Sequence, residues 1–96
     1  MNVNVNGMEH TNQVTIVNRY GLHARPAAEF VKLANRFQSE VFIGKDDVEV
    51  SGKSIMGVMM LAAECGSEVR IRASGDDARE AVDALTQLVQ NRFGED

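Results

Sequence analysis

The sequence predicts an α+β fold, a two-layer open-faced sandwich in the order β-α-β-β-α-β-α, with a four-stranded sheet covered on one face by three helices. Short stretches around Val14, Val41, Val48 and Val69 alternate apolar and polar residues with the period of strands. Longer stretches after Pro26 and after Asp77 repeat apolar residues at helical spacing. A helix with one apolar stripe must bury it, and the apolar side of a sheet is the available partner, so the elements sort into two layers. The other face of the sheet is expected to stay comparatively open.

Residues 1–12, with Asn at 2, 4, 6 and 12 and Gly7, are too polar to pack and are expected to form a flexible lead, with Met8 as an alternative initiation site. The folded domain then spans residues 13–96. Val14 to Val17 is β-prone and reads as the first strand, and Asn18 to Gly21 loops toward His23. Past Pro26, the residues Ala27, Phe30, Val31, Ala34 and Phe37 share one side of a helix whose other side carries Glu29, Lys32, Asn35 and Arg36. Val41 with Ile43, and Val48 with Val50, form the next two strands. Gly44-Lys45-Asp46-Asp47 carries turn chemistry that joins them as a hairpin.

Ser54 stands where an N-cap belongs, before a second helix from Ile55 to Glu64 that Gly66 would end. On that helix Val58, Leu61, Ala62 and Cys65 share the core side, which makes Cys65 a small buried hydrophobe. Met56 and Met60 fall on the opposite side, with Ile55 and Met59 at the margins. Ile55, Met56 and Met59 are read as partner-docking residues, whereas Met60 is expected to be buried against the third helix. Val69, Ile71 and Ala73 alternate with Arg70, Arg72 and Ser74 in the fourth strand. Asp77 and Glu80 have the spacing of a capping box at the head of the third helix, which runs on Ala78, Ala81, Val82, Leu85, Leu88 and Val89 and ends near Phe93-Gly94.

Composition narrows the function classes. The formal charge is −4 and the basic residues are scattered, which argues against a nucleic-acid binder. The longest apolar run, Ile55 to Ala63, contains Gly57 and is too short to cross a bilayer, so no direct membrane insertion is expected. No signal pattern is visible, and the single cysteine fits a reducing compartment, so the expected location is cytoplasmic. His10 lies in the polar lead with no second ligand at metal spacing, and neither a metal nor a cofactor is expected.

The chemistry concentrates in Gly21-Leu22-His23-Ala24-Arg25-Pro26-Ala27-Ala28. Pro26 is tolerated in a first helical turn and disfavours helical geometry at Arg25, which fixes the helix start close to His23. The N–H groups of Ala24 and Arg25 then lack helical partners and face an anion with the positive end of the helix dipole behind them. A neutral His23 imidazole keeps a lone pair for attack on phosphorus, and Arg25 offers a planar fork to phosphoryl oxygens. Taken alone, this local physics is equally compatible with His23 as a surface loop residue in a strand-to-helix turn.

Two motifs together resemble the HPr family, the histidine-containing phosphocarriers of the bacterial phosphoenolpyruvate-dependent sugar phosphotransferase system. One is Gly21-Leu22-His23-Ala24-Arg25-Pro26-Ala27, and the other is Lys53-Ser54-Ile55-Met56-Gly57-Val58-Met59. The likeness continues through Gly66-Ser67-Glu68-Val69 and Ala73-Ser74-Gly75 and covers residues from about Gln13 onward.

The resemblance implies an antiparallel sheet with a strand order of 1-4-2-3. It further implies a monomeric phosphoryl carrier, not itself an enzyme. His23 would accept phosphate from enzyme I at Nδ1 and pass it to a histidine of an enzyme IIA domain for sugar uptake. Arg25 would contact the phosphate. Ser54 corresponds to the serine that a dedicated kinase or phosphorylase modifies in some relatives, while others carry it unregulated. The alternative is a regulatory relay or binding module of a nitrogen-related or incomplete phosphotransferase system, controlled by phosphorylation at His23 or Ser54.

Overall fold

In a computed structural model that describes residues 8–95, strand β4 (Glu68–Ser74) lies inside the sheet, between β1 (Glu9–Thr15) and β2 (Glu40–Lys45). Strand β3 (Val48–Ser51) pairs with β2 at the far edge, so the order is β1-β4-β2-β3 and every pairing is antiparallel. Val69, Ile71 and Ala73 of β4 are fully buried and alternate with the half-exposed Arg70, Arg72 and Ser74. Val41 and Ile43 of β2 point the same way. This face meets helix α1 (Ala24–Ala34), which buries Ala27, Phe30, Val31 and Ala34, and helix α3 (Ala78–Gln90), which buries Ala81, Val82, Leu85 and Val89. The short helix α2 (Ile55–Met60) packs beside α1 and contributes Val58 to the core.

The open face is held by one arginine. Arg72 of β4 reaches Glu9 of β1 at 2.6 Å and Glu49 of β3 at 2.7 Å, with its guanidinium 4.2 Å from the ring centre of Phe42 on β2. One side chain thus touches every strand. Its hydrogen bond holds the Glu49 carboxyl below the ordinary value. Exposed pairs of this kind contribute at most about 1 kcal/mol each.

Several expectations from the sequence need correction. The first strand starts at Glu9, well inside the expected flexible lead; residues 1–7 of that lead lie outside the described residues. Pairing with β4 sets His10 opposite Ala73 and Asn12 opposite Ile71, and this backbone ladder needs no apolar side chain. Asn12 also donates to the Thr86 hydroxyl of α3 at 3.3 Å, so the inward side of this edge strand is partly polar and hides its own period. His10 therefore sits on a strand. The strand also stops at Thr15, before Val17.

The second helix stops at Met60, short of Glu64. Leu61 and Ala62 close the end with i→i+3 bonds to Val58 and Met59, and Ala62 turns left-handed with φ 51°. Cys65 is consequently exposed in the following turn, and Gly66 serves that turn instead of ending the helix. Met60 is 75% exposed, since it lies on the side of α2 away from buried Val58 and α2 packs against α1 and β3. Helix α1 ends at Ala34, leaving Phe37 beyond it and only partly buried.

The Asp77-Glu80 capping box is absent. Asp77 occupies the N-cap of α3, but its carboxylate accepts the N–H groups of Gln38 and Ser39, both at 2.9 Å, and the Ser39 hydroxyl. It ties the start of α3 to the chain entering β2, and Gly75 (φ 145°) permits this because a Cβ there would lie 2.8 Å from Ser39 Cα. The Ser39 hydroxyl foremost, then the two amides, hold the Asp77 carboxyl below its ordinary value.

A carboxyl depressed in the folded state stabilises the fold above the unfolded carboxylate range, and that contribution disappears as pH falls through the depressed value. Asp77→Asn is therefore expected to be less stable than the parent near neutral pH, with the difference shrinking below about pH 4. Urea unfolding at neutral and acidic pH checks this; a difference independent of pH would show that the charge of Asp77 is irrelevant.

Candidate functional site

His23 is the N-cap of α1, with extended backbone (φ −77°, ψ −172°) and no side-chain bond back to the helix. Its carbonyl accepts the Ala27 N–H at 3.0 Å. Pro26 has no N–H, so the amides of Ala24 and Arg25 are the donors left at this helix start.

The loop before it is anchored from two sides. Leu22 is buried and donates its N–H to Ala63 O at 2.9 Å. Gly21 is left-handed at φ 71°, and a Cβ there would lie 2.4 Å from that same oxygen, so only glycine lets the two segments meet. Asn18 is fully buried and donates Nδ2 to Gly21 O at 2.8 Å and to Glu95 Oε1 at 3.1 Å. These two acceptors fix which end of the amide points where, and its Oδ1 is left without a partner among the described residues.

Glu95 completes the arrangement. After α3 the chain passes through a 3₁₀ turn at Arg92–Gly94 in which Arg92, Phe93 and Gly94 all have positive φ. Phe93 is buried there, and the reversal brings Glu95 Oε2 to 3.2 Å from His23 Nε2. The His23 side chain is 42% exposed and that of Glu95 only 18%. Tyr20 stands edge-on to the imidazole, with ring centres 6.2 Å apart, and Arg19 lies over the Tyr20 ring.

These residues line a shallow groove of about 580 Å³ that also takes in Arg25 and Glu29. Two guanidinium groups and a helix start around an exposed imidazole suit a small, multiply charged anion. His23, Ala24 and Arg25, singled out from the sequence, are thus brought together at one spot. Glu95, Asn18, Arg19 and Tyr20 were not anticipated. Asn18 and Tyr20 lie in the recognised loop, but Glu95 is remote in sequence and follows a turn that local pattern marks only as a helix end.

The second motif forms a separate feature. Ser54 caps α2, its Oγ accepting the Gly57 N–H at 3.1 Å. Ile55, Met56 and Met59 are exposed as expected, Met56 at 71%, and Met60 joins them. The apolar surface of α2 is therefore wider than the sequence suggested.

A family model described as "PTS HPr component phosphorylation site" matches residues 10–91. Phosphocarrier protein HPr of Cupriavidus necator is 52% identical over 81 residues, covering 84% of this chain and 91% of that protein. Among solved structures, HPr-C-His from Thermoanaerobacter tengcongensis superposes with a TM-score of 0.87 at 45% identity, covering 91% of this chain and 98% of that one. Crh, the Bacillus subtilis catabolite repression protein described as a domain-swapped dimer, gives a TM-score of 0.71 at 51% identity, covering 77% and 85%.

Removing the Ser54 hydroxyl leaves the first turn of a six-residue helix uncapped. Ser54→Ala is expected to cost about 1 kcal/mol of stability. Hydrogen exchange at Gly57 should accelerate in that variant while protection in β4 falls only with global stability; equal effects at both places would remove the local role of the cap.

Proposed function

Because the chain belongs to the HPr phosphocarrier family, we propose that it takes a phosphoryl group from enzyme I onto His23 and passes it to a histidine of an enzyme IIA domain in support of sugar uptake. The observation that carries this reading is the exposed His23 ring at a helix start, with its Nε2 facing Glu95 and Arg25 in the same groove. Nδ1 is then the nitrogen available to an incoming phosphorus.

The transfer is an in-line exchange. The Nδ1 lone pair forms the new N–P bond while the donor's N–P bond breaks, and its electron pair leaves with the donor imidazole. No proton has to leave His23. Arg25 and the amides of Ala24 and Arg25 meet the phosphoryl oxygens, so the protein supplies position and charge and acts as a carrier, not a catalyst.

Docking is assigned to Ile55, Met56 and Met59, extended by Met60, because flexible thioether chains repack against differently shaped partners. No helix among the described residues is long and apolar enough to cross a membrane. The carrier reading assigns the chain to the cytoplasm, where its partners would meet it as a monomer.

A second reading, in which phosphorylation at Ser54 or His23 sets partner binding, draws support from the likeness to Crh. The exposed Ser54 cap beside the methionine surface fits it, since phosphate is tolerated at a helix start and would place negative charge next to the docking face. Complementation separates the readings. Restored sugar uptake in a strain lacking its own carrier supports transport, and partner binding without restoration supports the relay.

Incubation with phosphoenolpyruvate and enzyme I is expected to add one phosphoryl group at His23, seen by mass spectrometry under non-acidic conditions. An unmodified His23 would overturn the carrier reading. Arg25→Ala is expected to slow transfer on the order of a hundredfold, while changing stability by no more than about 0.5 kcal/mol. Stopped-flow transfer and urea unfolding measure the two; an unchanged transfer rate would remove Arg25 from the mechanism.

A further inference from the structure

We infer that Glu95 is a positioning residue for His23, one that selects the tautomer with the proton on Nε2 and so keeps the Nδ1 lone pair free for phosphorus. The inference rests on the carrier reading for its role in transfer, though not for its geometry.

The two ring nitrogens of a neutral histidine are inequivalent, and the hydrogen bond made by one decides whether the other is bare. Glu95 Oε2 lies 3.2 Å from Nε2, within reach of a hydrogen bond in which Nε2–H donates. A carboxylate has no hydrogen to offer, so this contact is favourable only when Nε2 carries the proton.

The carboxylate is itself held in place. Its other oxygen accepts the Nδ2–H of fully buried Asn18, whose amide also holds the Gly21 carbonyl. Asn18 thus ties the loop that presents His23 to the residue that orients its ring. Three consecutive residues of positive φ, Arg92 to Gly94, are needed to bring Glu95 back to this point. Left-handed geometry at Arg92 and Phe93 is unfavourable for residues with a Cβ and persists only where the surroundings impose it, here through buried Phe93.

The arrangement also bears on the phosphorylated state. Attack by neutral Nδ1 leaves positive charge on a ring that still carries its Nε2 proton. The Glu95 carboxylate, opposite Nδ1, then faces that proton and offsets the charge from the side away from the phosphoryl group. Tyr20, edge-on to the same ring, limits its rotation.

The test needs one readout that is independent of transfer. ¹⁵N spectra of His23, recorded near pH 9 where an ordinary histidine is neutral, separate a protonated ring nitrogen from a bare one. In the parent, Nε2 is expected to appear protonated and Nδ1 bare. In Glu95→Ala the two signals should move toward each other as the tautomers mix. Glu95→Gln keeps the shape of the turn and offers Nε2 either a donor or an acceptor, so mixing is expected there too if the alanine variant disturbs folding.

Transfer from phospho-enzyme I at saturation should slow about tenfold in both variants, with half-saturation unchanged. Unaltered ¹⁵N signals would overturn the proposal, and mixed tautomers with unaltered transfer would remove Glu95 from the reaction. If the parent itself accepts no phosphoryl group, the carrier reading fails while the spectra still decide whether Glu95 sets the tautomer.

Discussion

The hydrogen bond from Leu22 N–H to Ala63 O joins the loop that presents His23 to the segment leaving α2, and the arrangement of the functional end depends on it. Both sides of the contact are shaped for it. Ala62 adopts a left-handed conformation that ends α2 early, and Gly21 does without a Cβ that would collide with the Ala63 oxygen. An alanine in that region is disfavoured by roughly 1–2 kcal/mol. Burial of Leu22, Leu61 and Ala63, which flank or form the contact, offsets that cost. The start of α1 and the end of α2 are therefore fixed relative to one another.

The fold was legible wherever one side of an element faces only apolar neighbours. Strand β4 shows this best, because its inward residues are all apolar and its outward ones polar. Strand β1 shows the opposite. Its inward positions include Asn12, which satisfies itself on Thr86 of α3, so hydrophobic period could mark only the part near Val14. What places Glu9 to Asn12 in the sheet is backbone pairing with β4, together with the Arg72–Glu9 contact on the open face. Neither has a local signature.

Short-range patterns failed in a related way at Cys65 and Asp77. Helical spacing from Val58 and Leu61 carries Cys65 to the core only if the helix continues, and the termination is imposed by the contact with Leu22, which lies far away in sequence. Asp77 has the spacing of a cap, yet the amides of Gln38 and Ser39 and the Ser39 hydroxyl outcompete its own helix. At the candidate site the same division holds. His23, Ala24 and Arg25 are local to one helix start and were readable, whereas the pairing of Glu95 with His23 exists only after the sheet and helices have brought these two distant segments together. The strand order came through family likeness, since periodicity says which residues are strands and not which strands are neighbours.

The openness of the site agrees with what a carrier must do. A group that is taken from one partner and given to another has to sit in a shallow energy well, because every interaction that deepens it slows the second step. An enclosed cage of charges would bind phosphate strongly in a low-dielectric surrounding. Here Arg25 and the helix start lie at the surface, where water screens their hold on a resting anion. The rigid parts act on the imidazole: buried Asn18, largely hidden Glu95 and the Leu22 anchor restrict the ring, whose side chain stays 42% exposed. On the proposed carrier reading, order is thus invested in the His23 ring, and a phosphoryl group there is held loosely enough to leave.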